Sequence, residues 1–162
     1  GKLDKSPCSL EGEIDMVYDG VRFHGTPMKV KITSNIIGYG PMPEPTDDAE
    51  QRLTITADGR VWLSRYSYGD GTKYTLQEQR HLRYTAEVTQ VLLEALGRYF
   101  GNNPIIGMAT DVGDWSMELT NEEGERFKYH GSLVSDSSGL SNFIRLALGL
   151  PILWIFDGGM TK

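Results

Sequence analysis

Leu53-Thr54-Ile55-Thr56-Ala57-Asp58-Gly59-Arg60-Val61-Trp62-Leu63 is an alternating apolar run, a turn dipeptide and a second alternating run. Asp-Gly at such a junction is the strongest short-range signal for a β-hairpin, because both central turn residues must take positive φ. The same design recurs downstream. Glu123-Gly124 separates Trp115-Ser116-Met117-Glu118-Leu119 from Arg126-Phe127-Lys128-Tyr129. Further Asp-Gly pairs stand at 19–20, 70–71 and 157–158.

Upstream of the first hairpin, Met28, Val30 and Ile32 alternate with Lys29 and Lys31, the pattern of a half-buried strand. Residues 13–25 read as a short hairpin around Asp19-Gly20, with Ile14, Met16 and Tyr18 before the turn and Val21 and Phe23 after it. Residues 38–50 hold three prolines and four acids, and proline donates no ladder hydrogen bond, so an exposed acidic loop is expected there.

Two helices are expected. Thr75 and Glu78 have the spacing of a capping box, and Tyr84, Val88, Val91, Leu92, Ala95 and Tyr99 then recur at helical intervals, up to a stop at Gly101 and Pro104. Ser137 or Ser138 suits the N-cap of a shorter helix over 140–148, with Phe143, Ile144, Ala147 and Leu148 as its apolar stripe. Pro151 ends it, and residues 152–156 read as a buried final strand. The expected fold is therefore α+β: an antiparallel sheet of β-hairpins with one long and one short helix packed on one face. Residues 1–12 are expected to be a flexible leader and 13–162 a single domain. Hairpin followed by helix occurs twice, at 51–99 and 115–148, matching Leu53 with Met117, Ile55 with Leu119 and Thr56 with Thr120.

At 162 residues the chain can hold an ordinary hydrophobic core without disulfides or metals. Cys8 is the only cysteine, which rules out an internal disulfide and a cysteine-rich zinc site. Sixteen basic and twenty-two acidic residues give a net charge of −6, unfavourable for non-specific contact with nucleic acid or an anionic membrane. No apolar run has the length of a membrane span. Composition does not fix the compartment, although a cytoplasmic one is slightly favoured.

Chemistry-bearing motifs are few. His24, His81 and His130 lie far apart with no zinc spacing, and no Gly-x-Ser-x-Gly elbow appears, so neither a metal nor another cofactor is expected. Gly131 to Gly139 precedes a helix as phosphate loops do, yet it lacks a lysine and carries Asp136, so a structural serine cap accounts for it. Arg65 to Tyr74 gathers Tyr66, Tyr68 and Tyr74 among small polar residues, a composition suited to contact surfaces. Asp111 and Asp114 beside Trp115 match the paired carboxylates and aromatic platform of glycoside chemistry. The expected function is a non-catalytic binding module for a protein partner, basic in character if an acidic surface blocks it as an inhibitor or immunity protein does. The alternatives are a small hydrolase using Asp111 and Asp114, with His130 as a further group, or a regulatory or structural domain of a longer protein.

Overall fold

Strand β2 (Pro27–Asn35) buries Val30 and Ile32 on one face while Lys31 stays exposed on the other. Its two edges take the two hairpins read from the sequence. On one side it pairs antiparallel with β3 (Asp48–Thr56), which returns through Asp58-Gly59 into β4 (Arg60–Ser67). On the other it pairs antiparallel with β6 (Asp114–Asn121), which returns through Glu123-Gly124 into β7 (Arg126–Ser132). The computed structural model describes residues 17–36, 44–70, 72–102, 113–133 and 139–157. Adding β1 (Val17–Asp19) and β5 (Thr75–Arg83) at the two ends gives a seven-stranded sheet in the order β1-β7-β6-β2-β3-β4-β5. Only the short β1–β7 pair is parallel.

Because neighbouring residues in a ladder share a face, the register builds the core as rows. Phe127, Leu119, Val30, Ile55, Val61 and Leu82 form one row, and Tyr129, Met117, Ile32, Leu53 and Leu63 the next. The sequence matches Leu53–Met117 and Ile55–Leu119 thus fall opposite the same β2 residues, Ile32 and Val30.

The helix α1 (Ala86–Asn102) lies over β2 and β3 and buries Leu92, Leu93, Leu96 and Phe100. The helix α2 (Leu140–Leu148) packs on α1. No helix among the described residues is long and apolar enough to cross a membrane. Beyond α2, residues 150–157 run across the core face. Gln51 accepts from the Trp154 N–H and donates to the Ile152 carbonyl, and Ser34 donates to that of Ile155. Arg145, 2 % exposed, holds this segment to α2 by a two-pronged pair with Asp157 (2.6 and 2.9 Å) and a bond to the Leu153 carbonyl.

Several expectations need correction. The Thr75–Glu78 pair is not a capping box but part of strand β5. Glu78 instead accepts from Arg65 at 2.7 Å across the ladder, and tertiary pairing overrides the helix-favouring composition of the segment. The helix starts ten residues later, where the Thr85 hydroxyl accepts from the Val88 N–H. Its buried face is accordingly rotated: Val91 is exposed, and Tyr84 precedes the helix and donates its hydroxyl to the Leu148 carbonyl. In α2 the N-cap is Gly139 at φ +78 with no side-chain cap, and Phe143 and Ala147 are exposed while Leu140, Ile144 and Leu148 are buried. Ser137 and Ser138 lie outside the described residues.

Residues 152–156 form no strand. Leu153, Ile155 and Phe156 are buried as irregular chain whose polar groups are met by Gln51, Ser34 and Ser141. Ile14 and Met16 of the hairpin expected around Asp19-Gly20 lie outside the described residues, as do residues 1–12, and among the described ones no strand follows Gly20 to pair with β1. The Gly20 N–H donates to the Lys128 carbonyl, closing β1 against β7, and the chain then leaves the sheet to bury Phe23 beside Phe100, whose carbonyl accepts from the Phe23 N–H. Finally, residues 48–50 of the expected acidic loop belong to β3, and residues 37–43 lie outside the described residues.

Three outcomes follow from this packing. Gly59 holds φ +100, and a Cβ there would stand 2.3 Å from the Tyr84 carbonyl oxygen. Gly59→Ala is expected to lower unfolding free energy by about 2 kcal/mol in a urea titration. Arg145→Leu removes the buried guanidinium's bonds to Asp157 and to the Leu153 carbonyl and is expected to cost about 3 kcal/mol by the same measurement. Burial pushes the Tyr129 phenol up to about 12. The neutral phenol therefore contributes stability that is complete below the unfolded value near 10 and is lost as pH rises towards 12. Melting temperature should fall through that window, and Tyr129→Phe should remove that part of the fall.

Candidate functional site

Alternation that buries one face of the sheet turns every second side chain of the same strands to the other face. Along β2, Lys29 is partly exposed and Lys31 exposed on that second face. One row across it reads Asp19, Lys128, Glu118, Lys31, Thr54, Trp62 and His81. The next reads His130, Ser116, Thr33, Arg52, Ser64 and Gln79. Beyond the first row on its other side, Arg126, Thr120, Lys29 and Thr56 stand in line.

The face has two distinct regions. Towards β4 and β5 the Trp62 and His81 rings stack, 4.8 Å between centroids and 6° from parallel. Nearby, the Arg52 guanidinium lies 4.7 Å over the Tyr66 ring and donates to Glu50 at 2.6 Å. This neutralises Glu50, 8 % exposed, and holds the tyrosine flat. Towards β7 lies a shallow concavity of about 320 Å³. Asp19, Lys31, Lys128, His130, Ser116 and Glu118 are among the residues that line it. Glu118 is shared among cations, with Arg126 at 3.1 Å and Lys31 and Lys128 as its ladder neighbours.

The residues singled out in the sequence divide among different places. Tyr66 is on the open face. Tyr68 and Tyr74 lie in and beside the loop between β4 and β5, with ring centroids 6.4 Å apart, and the Tyr74 hydroxyl accepts from the Asn35 amide at 3.1 Å. That loop is shaped by Asp70, whose carboxylate accepts from the Thr72 hydroxyl and from the N–H groups of Thr72 and Lys73. These bonds, the hydroxyl foremost, hold its pKa below the usual carboxylate range. Asp114 is exposed on the open face, diagonal to His130 across the β6–β7 ladder. Its neighbour Trp115 points the other way, 4 % exposed, with its ring 4.6 Å from Phe156 and 6.1 Å from Phe100. Consecutive strand residues face opposite sides, so Trp115 cannot be a platform beside Asp114. Asp111 lies outside the described residues.

The chain matches no protein-family model and no curated protein. Function therefore has to be argued from this surface. Among the described residues no three histidine, cysteine, aspartate or glutamate side chains gather as a metal site would require. The acidic segment is divided: Asp48 is held by Arg65 at 2.7 Å and Glu50 by Arg52, while Glu44 and Asp47 are exposed. Sequence reasoning missed Trp62, His81 and Lys128. The signal that finds them is the register, because only the row they share makes residues of β4, β5 and β7 neighbours.

The aromatic residues of the two faces should behave oppositely. Trp62→Ala and Tyr66→Ala are expected to lower unfolding free energy by about 1 kcal/mol, since their partly exposed rings lie on the open face and leave no enclosed cavity. Trp115→Ala is expected to cost about 4 kcal/mol. Urea denaturation of the three variants checks both statements.

Proposed function

We propose that the chain is a non-catalytic binding module whose recognition surface is the open face of the sheet, and that its partner there is an acidic protein segment. One observation carries the reading. On a chain of net charge −6, the open face places Lys29, Lys31 and Lys128, interspersed with Asp19 and Glu118, beside two fixed aromatic positions. Cations spread over a flat polar sheet attract an extended acidic chain and steer its approach, while rigid rings give contact area at little entropic cost.

A basic partner remains the second reading: it would meet Glu44 and Asp47, which are exposed, while Asp48 and Glu50 are engaged by arginines. The hydrolase reading draws on a single described carboxylate, Asp114, and on a ring, Trp115, that the fold turns into the core.

Titrating isotope-labelled protein with a short poly-glutamate peptide tests the reading by amide chemical shifts. Perturbations are expected on β2, β3, β6 and β7, weakening as salt is raised through the physiological range. Lys31→Gln with Lys128→Gln, which sets no like charges against Glu118 or Asp19, should abolish them while the dispersed native amide spectrum is retained. Shifts confined to other surfaces, salt-independent binding, or a clear preference for an oligonucleotide of equal charge would each overturn the proposed partner class.

A further inference from the structure

β5 (Thr75–Arg83) is the terminal strand of the sheet, and its outer edge meets no backbone partner among the described residues. Arg65 pairs with Glu78 and Tyr66 with Leu76, so Gln77 is the extra residue of a bulge. Past the bulge the register is unbroken, from Glu78 opposite Arg65 to Arg83 opposite Arg60. The regular edge is therefore 78–83. One bond gives its direction. The Tyr84 N–H donates to the Gly59 carbonyl at 2.7 Å. Backbone groups alternate sides along a strand, so those of Leu82, Arg80 and Glu78 also face β4, and those of Arg83, His81 and Gln79 face outward. These three outward residues are exposed.

The charge left over along this edge is cationic. On the open face Arg83 stands directly opposite Arg60, an arrangement that is unfavourable unless an anion joins it. Asp58 lies 3.4 Å from Arg60, and no acid among the described residues pairs with Arg83. On the helix side Glu78 gives one carboxylate oxygen to Arg65 at 2.7 Å, while the other is 3.8 Å from Arg80 Nε. Bulges and charged side chains keep an edge from pairing indiscriminately. Here they leave it open to a strand of opposite charge.

We propose that the edge at 78–83 docks an extended acidic segment of a partner protein, which adds to the sheet as a further strand. Bonds to the backbone of Gln79, His81 and Arg83 hold the segment, whatever its sequence. Its alternate side chains fall on the open face, where an acid beside Arg83 also has Arg60 one strand further in. The intervening side chains fall on the helix side, beside Arg80 and beside Leu82, which packs against the core. The segment that fits best therefore alternates acidic and apolar residues. This docking does not rest on Lys31 and Lys128, which stand on β2 and β7.

Amide hydrogen exchange tests it, with a short peptide alternating glutamate and valine as the probe. At saturation the amides of Gln79, His81 and Arg83 are expected to exchange at least about tenfold more slowly. The same peptide methylated at every nitrogen keeps its charges but cannot pair as a strand, and should give no slowing on the intact protein. A peptide with lysine in place of glutamate should bind at least about tenfold more weakly. Gln79→Pro removes an outward N–H and no bond to β4, so the dispersed native spectrum should persist while the slowing at His81 and Arg83 is lost. Arg83→Glu, which sets opposite charges across the ladder from Arg60, should weaken binding at least about tenfold with that spectrum retained. Lys31→Gln with Lys128→Gln should leave the slowing in place, which separates this edge from the open face. No slowing at the three amides, equal slowing by the methylated or the lysine peptide, or slowing lost in the double lysine variant but kept in Arg83→Glu would each overturn the proposal.

Discussion

The fold depends on one strand being satisfied on both edges. β2 is the only strand that both hairpins touch, and its register with β3 and with β6 sets Ile32 between Leu53 and Met117, and Val30 between Ile55 and Leu119. A one-residue slip on either side would send a whole hairpin's apolar residues to the wrong face. With both registers fixed, the rows are continuous from β7 to β4 and give α1 a single surface on which to bury Leu92, Leu93, Leu96 and Phe100. α2 and the 150–157 segment then attach to that assembly, through Tyr84, Gln51, Ser34 and Arg145.

The same alternation sorts the charge. A net acidic composition says nothing of distribution, and in the folded chain several acids are consumed by arginines on the sheet, as in Arg65 with Asp48 and Glu78. Lysines paired in sequence with the buried residues of β2 are carried to the open side together. A chain that is acidic overall can in this way gather lysines on one face, beside Asp19, Glu118 and Asp114, and the average charge is a poor guide to the partner of any one surface.

Local signals in the sequence were reliable where the decisive interaction is local. The turns at Asp58-Gly59 and Glu123-Gly124 need residues that tolerate positive φ, and the flanking alternation needs only one buried face; both hairpins stand where they were read. The reading failed where a long-range partner decided. Thr75 to Arg83 is rich in helix-forming residues but lies along the free edge of β4. Ile152 to Phe156 is apolar enough for a strand but finds side-chain partners in place of a ladder. The site was less legible still. Tyr66 was found from composition, Trp115 was misjudged because its neighbour and not itself faces outward, and Trp62, His81 and Lys128 become a surface only by register.

The amino-acid sequence by itself determined the fold class, the two hairpins and the polarity of each strand's faces, because dihedral preference and period-two burial act within a few residues. Strand order, the fate of the Thr75–Arg83 segment, the burial of Arg145 and the meeting of Lys31, Glu118 and Lys128 in one row were decided only by tertiary structure. Each depends on which distant groups meet, and that meeting is set by the packing of all the rows at once.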